Sequence, residues 1–248
     1  MKSNNLQLNH RNYTIYKFFN SLFLGTSIGS VFIIYSPLEP AIYSIGGIVL
    51  ALGLMGVALF YEKILNIGYF YIISLFVEVV ILAVLISFLI FSYSYEIALC
   101  VYIGYQVTFI FGSYLGRVET LLLKKKRILK AVDISKQAGY MIGLLLSYVV
   151  FLFIGIKASD LNDKKLQLTP PQTEQILFDD NKLPIGFKVN FEEKNPSLKN
   201  ELFSEETQRK IKSIISKNQV YYLHYILVFI EILVIVFIIK SFVYSKKE

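Results

Sequence analysis

The chain has 248 residues and a mass of 28.5 kDa; 55% of it is hydrophobic, 17% is charged, the net charge is +7 and the mean hydropathy is +0.55. Soluble domains average about 45–50% apolar and about 25% charged residues. An ordinary soluble enzyme is therefore excluded, and so is a disordered chain, which could not carry this much apolar side chain. One cysteine, Cys100, rules out a disulfide framework, a redox pair or a multi-Cys metal site, and His10 and His224 lie too far apart for an HExxH pattern, so no cofactor or metal is expected.

Six apolar runs follow one another along the chain, at 18–35, 41–61, 69–93, 97–116, 140–156 and 221–239. Each is close to the ~20 residues that cross a ~30 Å hydrocarbon layer as a helix. Outer-membrane strands would be ~10 residues long with alternating polarity. The expected fold class is an all-α membrane protein of six transmembrane helices. The first run is too long for the apolar core of a signal peptide and lacks a small-residue cleavage site. Ser36-Pro37-Leu38-Glu39-Pro40 ends the first helix and starts the second.

Basic residues set the expected orientation. Lys2, Arg11 and Lys17 precede or open the first helix with no acid among them. Residues 117–136 hold seven basic side chains against two acidic ones, and Lys240, Lys246 and Lys247 close the chain. All three segments fall on one side of a six-helix chain, which the positive-inside rule makes the cytoplasm, with both termini there. The Lys-rich run reads as an orienting signal with some attraction to anionic lipid, not as a nucleic-acid site. Lys outnumbers Arg 21 to 4, and with abundant Ile, Asn and Tyr this is the composition of an AT-rich bacterial genome. The expected location is the inner membrane.

Residues 157–219 are different. Four of the six prolines are here and one of the fourteen glycines. Between Asp160 and Lys217 ten acidic side chains balance ten basic ones. Residues 185–191 alternate as a strand, 176–178 offer a partner strand across the turn at 179–182, and Ser204 can cap a helix opening on Glu205 and Glu206. The expectation is a small extracytoplasmic α+β cap between helices five and six, separating a five-helix membrane part (1–156) from the last helix and tail (220–248).

Glycine spacing sorts the helices. Gly25 and Gly29, Gly112 and Gly116, and Gly139 and Gly143 are pairs four apart, and Gly46, Gly47, Gly53 and Gly56 crowd the second run. Such faces let helix backbones approach closely in lipid. Runs three and six have no glycine, which predicts that they are peripheral and that helix six tolerates added bulk. Two packed helices and one loose one, twice over, is the expectation for a three-plus-three bundle.

Polar residues inside the runs are costly and hence functional candidates. Glu78, Gln106 and Glu231 each lie ~13–15 Å from a helix end at 1.5 Å per residue, so all three approach the midplane. They are candidates for a proton site, or for polar ties between helices. Arg117 and Glu119, two apart at the inner end of helix four, are candidates for a latch across the cytoplasmic face. His224 is expected near the interface and Cys100 in packing.

The link between helices four and five carries Gly116-Arg117-Val118-Glu119, the basic run 124–130, and then Gln137-Ala138-Gly139-Tyr140-Met141-Ile142-Gly143. The link between two and three, Tyr61-Glu62-Lys63-Ile64-Leu65-Asn66-Ile67-Gly68, has an acid, a base and a glycine. With these motifs, residues 16–156 resemble the N-terminal half of a major facilitator superfamily transporter. The resemblance implies a non-enzymatic, half-size secondary transporter, coupled to protons and working as a homodimer or with another membrane subunit. Two other classes stay open: a membrane anchor or assembly subunit whose extracytoplasmic domain binds a partner protein, and a six-helix permease subunit of an ATP-driven exporter.

Overall fold

The computed structural model describes residues 6–91, 93–160 and 205–244. In chain order these are strand β1 (Leu6–Leu8), helices α1 (His10–Ile34), α2 (Pro40–Leu59), α3 (Tyr61–Ile64), α4 (Ile67–Phe91), α5 (Tyr95–Leu122), α6 (Lys126–Asp160) and α7 (Glu205–Ser241), and strand β2 (Phe242–Tyr244). Every helix but α3 contains a stretch long and apolar enough to cross a membrane, six among the described residues. The strands and turn expected at 176–191 and the cap at Ser204 lie outside the described residues.

Local chemistry explains the boundaries. The Asn9 side chain accepts from the backbone N–H of Arg11 and Asn12 and caps α1. Pro40 opens α2, where its missing N–H costs nothing. The Asn66 carbonyl oxygen caps α4 through the N–H groups of Gly68 and Tyr69, and Ser94 caps α5 through Ile97. The segment expected as a basic loop at 117–136 is almost wholly helical: the chain leaves helix only between α5 and α6, at 123–125. At the other end of the sequence, the helix expected from 204 and the last spanning run are one continuous α7 of 37 residues.

The chain divides into two compact units, residues 1–147 with 224–248, and 148–223. The second contains the end of α6 and the start of α7, where the Gln219 side-chain amide donates to the Phe151 carbonyl at 3.0 Å. The first contains the bundle. There β1 and β2 pair antiparallel, Leu6 opposite Tyr244, and Asn12 Nδ2 donates to the Lys240 carbonyl at 2.9 Å. The strands β1 and β2 are thereby held at one end of the bundle, together with the 123–125 turn: Ser135 Oγ, on the first turns of α6, donates to the Thr14 carbonyl on α1.

Glycine marks the tightest helix contact. A Cβ on Gly139 would strike the Phe18 carbonyl, one on Gly143 the Leu22 carbonyl, and one on Gly25 the Tyr140 carbonyl. The backbones of α1 and α6 therefore touch along these three residues, leaving Thr26 Oγ1 3.3 Å from the Gly143 carbonyl. Gly29, a turn further along α1, is half-buried. Gly112 and Gly116 differ from the expectation: their Cβ positions meet open space, and no helix packs on them.

The ranking of peripheral helices also changes. Helix α7 is among the most buried, with His224, Leu227, Ile230, Glu231, Val234 and Ile238 forming one inward stripe. On α4, Phe70, Ser74, Val77, Glu78, Val84, Leu85 and Phe88 do the same. The outermost span is the glycine-rich α2, where only Gly46 is buried. Its Gly46 and Gly53 receive Tyr102 and Ile110 of α5, while Gly47 and Gly56 face open space. The reason is physical: glycine lets a neighbour come close on one side, but branched and aromatic side chains pack a helix into a core without it. Two further residues move. His224 is buried and stacked on Phe88, ring centroids 4.0 Å apart, and Cys100 is exposed.

These placements make a prediction. Gly143→Ala should destabilise the protein by about 1–3 kcal/mol, because its methyl meets fixed backbone. Gly116→Ala should be neutral or mildly stabilising, since a helical glycine gains about 0.5–1 kcal/mol on becoming alanine where there is room. Circular-dichroism melts of the detergent-solubilised variants read both.

Candidate functional site: a paired carboxyl beside an amphipathic cavity

One face of α1 organises the polar interior. Tyr13, Tyr16, Lys17 and Asn20 recur at the i, i+3, i+4, i+7 spacing that puts side chains on one stripe. This stripe meets two carboxylates. Tyr16 donates to Glu78 Oε1 at 2.5 Å, and Asn20 Nδ2 donates to the same oxygen at 3.1 Å. One turn nearer the β1–β2 pair, Tyr13 donates to Glu119 Oε2 at 2.8 Å and Lys17 Nζ lies 2.7 Å from that oxygen. Lys136 of α6 bonds Glu119 Oε1. The Lys17 ammonium also lies over the rings of Tyr13 and Tyr16, 5.5 and 5.3 Å from their centroids.

Glu78 of α4 and Glu231 of α7 lie close enough to act on each other electrostatically. Both are buried, at 1% and 0% exposed. Glu78 Oε2 and both oxygens of Glu231 have no hydrogen-bond partner among the described residues. Carboxylates only accept hydrogen bonds, so the two can bond each other only when one member keeps its proton. Two adjacent negative charges away from water would repel strongly, and a proton shared between them would remove that repulsion. Glu78 is about 16 Å along α4 from Ile67, and Glu231 is about 15 Å along α7 from Ser241, at 1.5 Å per residue. The pair thus sits half-way through a ~30 Å span.

Gln106 is not brought to the pair by any contact among the described residues, and its buried amide oxygen has no partner among them. Its neighbour Tyr105 lies near Ser27 and Glu231 instead. The Arg117–Glu119 latch also divides. Two residues apart on a helix, their side chains point to nearly opposite faces. Arg117 reaches outward over the Tyr61 ring of α3, 5.2 Å from its centroid, while Glu119 turns inward to Lys17 and Lys136.

A cavity of about 520 Å³ lies beside the pair. Tyr16, Lys17, Asn20, Glu78, Glu119 and Lys136 make its polar end. Phe23, Leu24, Ile28, Tyr105 and Phe109 line the apolar remainder. Gly112 and Gly116 form part of the wall, so their missing side chains leave the space that the cavity occupies. Its size is that of a small-molecule site. Among the described residues no cluster of His, Cys, Asp or Glu could hold a metal ion. Comparison with protein-family models, with curated proteins and with solved structures finds no match for the chain.

The α1 stripe was missed by sequence reasoning, which counted Lys17 only as a flanking base. The available signal was four polar and aromatic residues on one helix face, at 13, 16, 17 and 20, leading into the apolar run at 18–35.

The ion cluster is directly testable. Glu119→Ala leaves the half-buried Lys17 and Lys136 without their shared carboxylate and the buried Tyr13 hydroxyl without its acceptor, and should cost about 1–3 kcal/mol. Arg117→Ala removes an exposed cation–π contact and should cost about 0.5–1 kcal/mol. Thermal unfolding of the two variants side by side measures the difference.

Proposed function

We propose that this protein is a half-size, proton-coupled secondary transporter of the inner membrane, binding its substrate in the α1–α5 cavity and exchanging a proton at Glu78–Glu231. The observation that carries this reading is the carboxyl pair itself: two buried acids at mid-span, one of them in the wall of a cavity of ligand size. A purely structural tie between helices would be served as well by uncharged groups. The three-plus-three plan is supported by an ordering in the burial of the spans, since the second of each three, α2 and α6, is the least buried. Those two helices and the open side of the cavity, where Leu24, Phe32 and Phe109 are exposed, supply the surface for a second copy or another membrane subunit. The end holding the β1–β2 pair and Lys124–Lys126 faces the cytoplasm in this reading. The membrane-anchor alternative draws its support from the extra segment between α6 and α7, which would bind a partner protein.

Two experiments separate these. Proteoliposomes carrying an imposed pH gradient are offered a panel of labelled organic cations, anions and neutral solutes. Wild type should accumulate at least one of them, and Glu231→Gln should lower that uptake tenfold or more while its melting temperature stays close to wild type. No gradient-driven uptake of any compound would favour the anchor. For orientation, Lys125→Cys in a Cys100→Ser background should resist an impermeant maleimide in intact cells, whereas Ser36→Cys should react; the opposite pattern would invert the topology.

A further inference from the structure

The unused polar valence of the cavity is an acceptor. Glu78 Oε1 is taken by Tyr16 and Asn20. Glu78 Oε2 has no hydrogen-bond partner among the described residues, although the residue is 1% exposed and forms part of the cavity wall. The donors that line the same end are committed: Lys17 and Lys136 to Glu119, and the Tyr16 hydroxyl to Glu78 itself. What would complete this end is therefore positive charge. The rest of the wall is mainly apolar and includes the aromatic residues Phe23, Tyr105 and Phe109, which suit a bulky cation stripped of water.

Resting on the transporter reading above, we propose that the cavity takes a lipophilic organic monocation, its charge against Glu78 and its body among the aromatic rings, and that binding expels the proton shared by Glu78 and Glu231. The exchange balances. One positive charge arrives, one proton leaves to water, and a carboxyl–carboxylate pair becomes two carboxylates facing one cation, so the net charge of the site is unchanged. Other groups facing the pair are Tyr13, Tyr16 and Lys17 from α1 and Tyr105 from α5. Tyrosine and lysine ordinarily keep their protons near neutral pH, and the Lys17 charge is matched by Glu119, so the carboxyl pair is the source of the released proton.

Tetraphenylphosphonium and tetraphenylborate have the same shape and opposite charge, and their binding to proteoliposomes can be measured by equilibrium dialysis against protein-free vesicles. Wild type should bind the phosphonium in preference to the borate. The affinity should rise by up to tenfold per pH unit, with one proton released per cation into weak buffer. Glu78→Gln should weaken binding tenfold or more. Gly112→Phe should do the same by filling the cavity, and because its side chain enters open space it should keep the wild-type melting temperature. Should Glu78→Gln fail to fold, Gly112→Phe and the proton count decide. Preference for the borate with loss on Lys17→Gln, or phosphonium binding indifferent to both Glu78→Gln and Gly112→Phe, would overturn the proposal. Phosphonium bound with proton release but never moved across the bilayer would keep the site and refute transport. Gradient-driven uptake of another compound with no phosphonium binding would do the reverse.

Discussion

A carboxylate in hydrocarbon has to be met by a donor, a cation or a proton, and this bundle is arranged around two that need such company. Glu119 is neutralised by Lys17 and Lys136 and receives Tyr13; Glu78 receives Tyr16 and Asn20 and shares with Glu231. Four of these contacts begin on α1, so the register of that helix against α4 and α5 is fixed by polar demand. Sliding α1 by one turn would leave at least one buried carboxylate without a partner, a loss that packing of Leu or Phe could not offset. The helix has little choice of depth.

Close backbone contact serves the same arrangement. Because Gly139 and Gly143 let α6 lie directly on α1, Lys136 at the head of α6 comes within reach of Glu119 on α5. The second glycine pair has the opposite effect. Gly112 and Gly116 keep α5 from filling the space beside α1, and the cavity exists there. Small residues thus bring helices together at one seam and hold space open at the other, according to what stands opposite them.

Much of this was legible in the chain. The six spans and the buried acids Glu78 and Glu231 follow from hydropathy and the cost of intramembrane charge. Their mutual contact does not, because residues 153 apart in sequence meet only through the helix order. Glycine spacing misled in a specific way: it marks where a backbone is bare but not whether a neighbour or a void lies over it, so Gly112 was expected in a helix seam. The same ambiguity made α7 look peripheral, although its Leu, Ile and Val stripe is core. Arg117 and Glu119 looked like one latch because they are adjacent in sequence; helical geometry sends them to different partners.

The proton shared by Glu78 and Glu231 is the central claim, and infrared difference spectroscopy of the protein in lipid reads it most directly. A protonated carboxyl stretch, distinct from that of ionised carboxylate, should be present at neutral pH in wild type. It should shift in frequency in Glu231→Gln and in Glu78→Gln, because the acid that remains is still buried but faces an amide in place of a carboxyl, and it should be lost in the double substitution. A protonated-carboxyl band that is absent from wild type, or that survives the double substitution, would contradict the account.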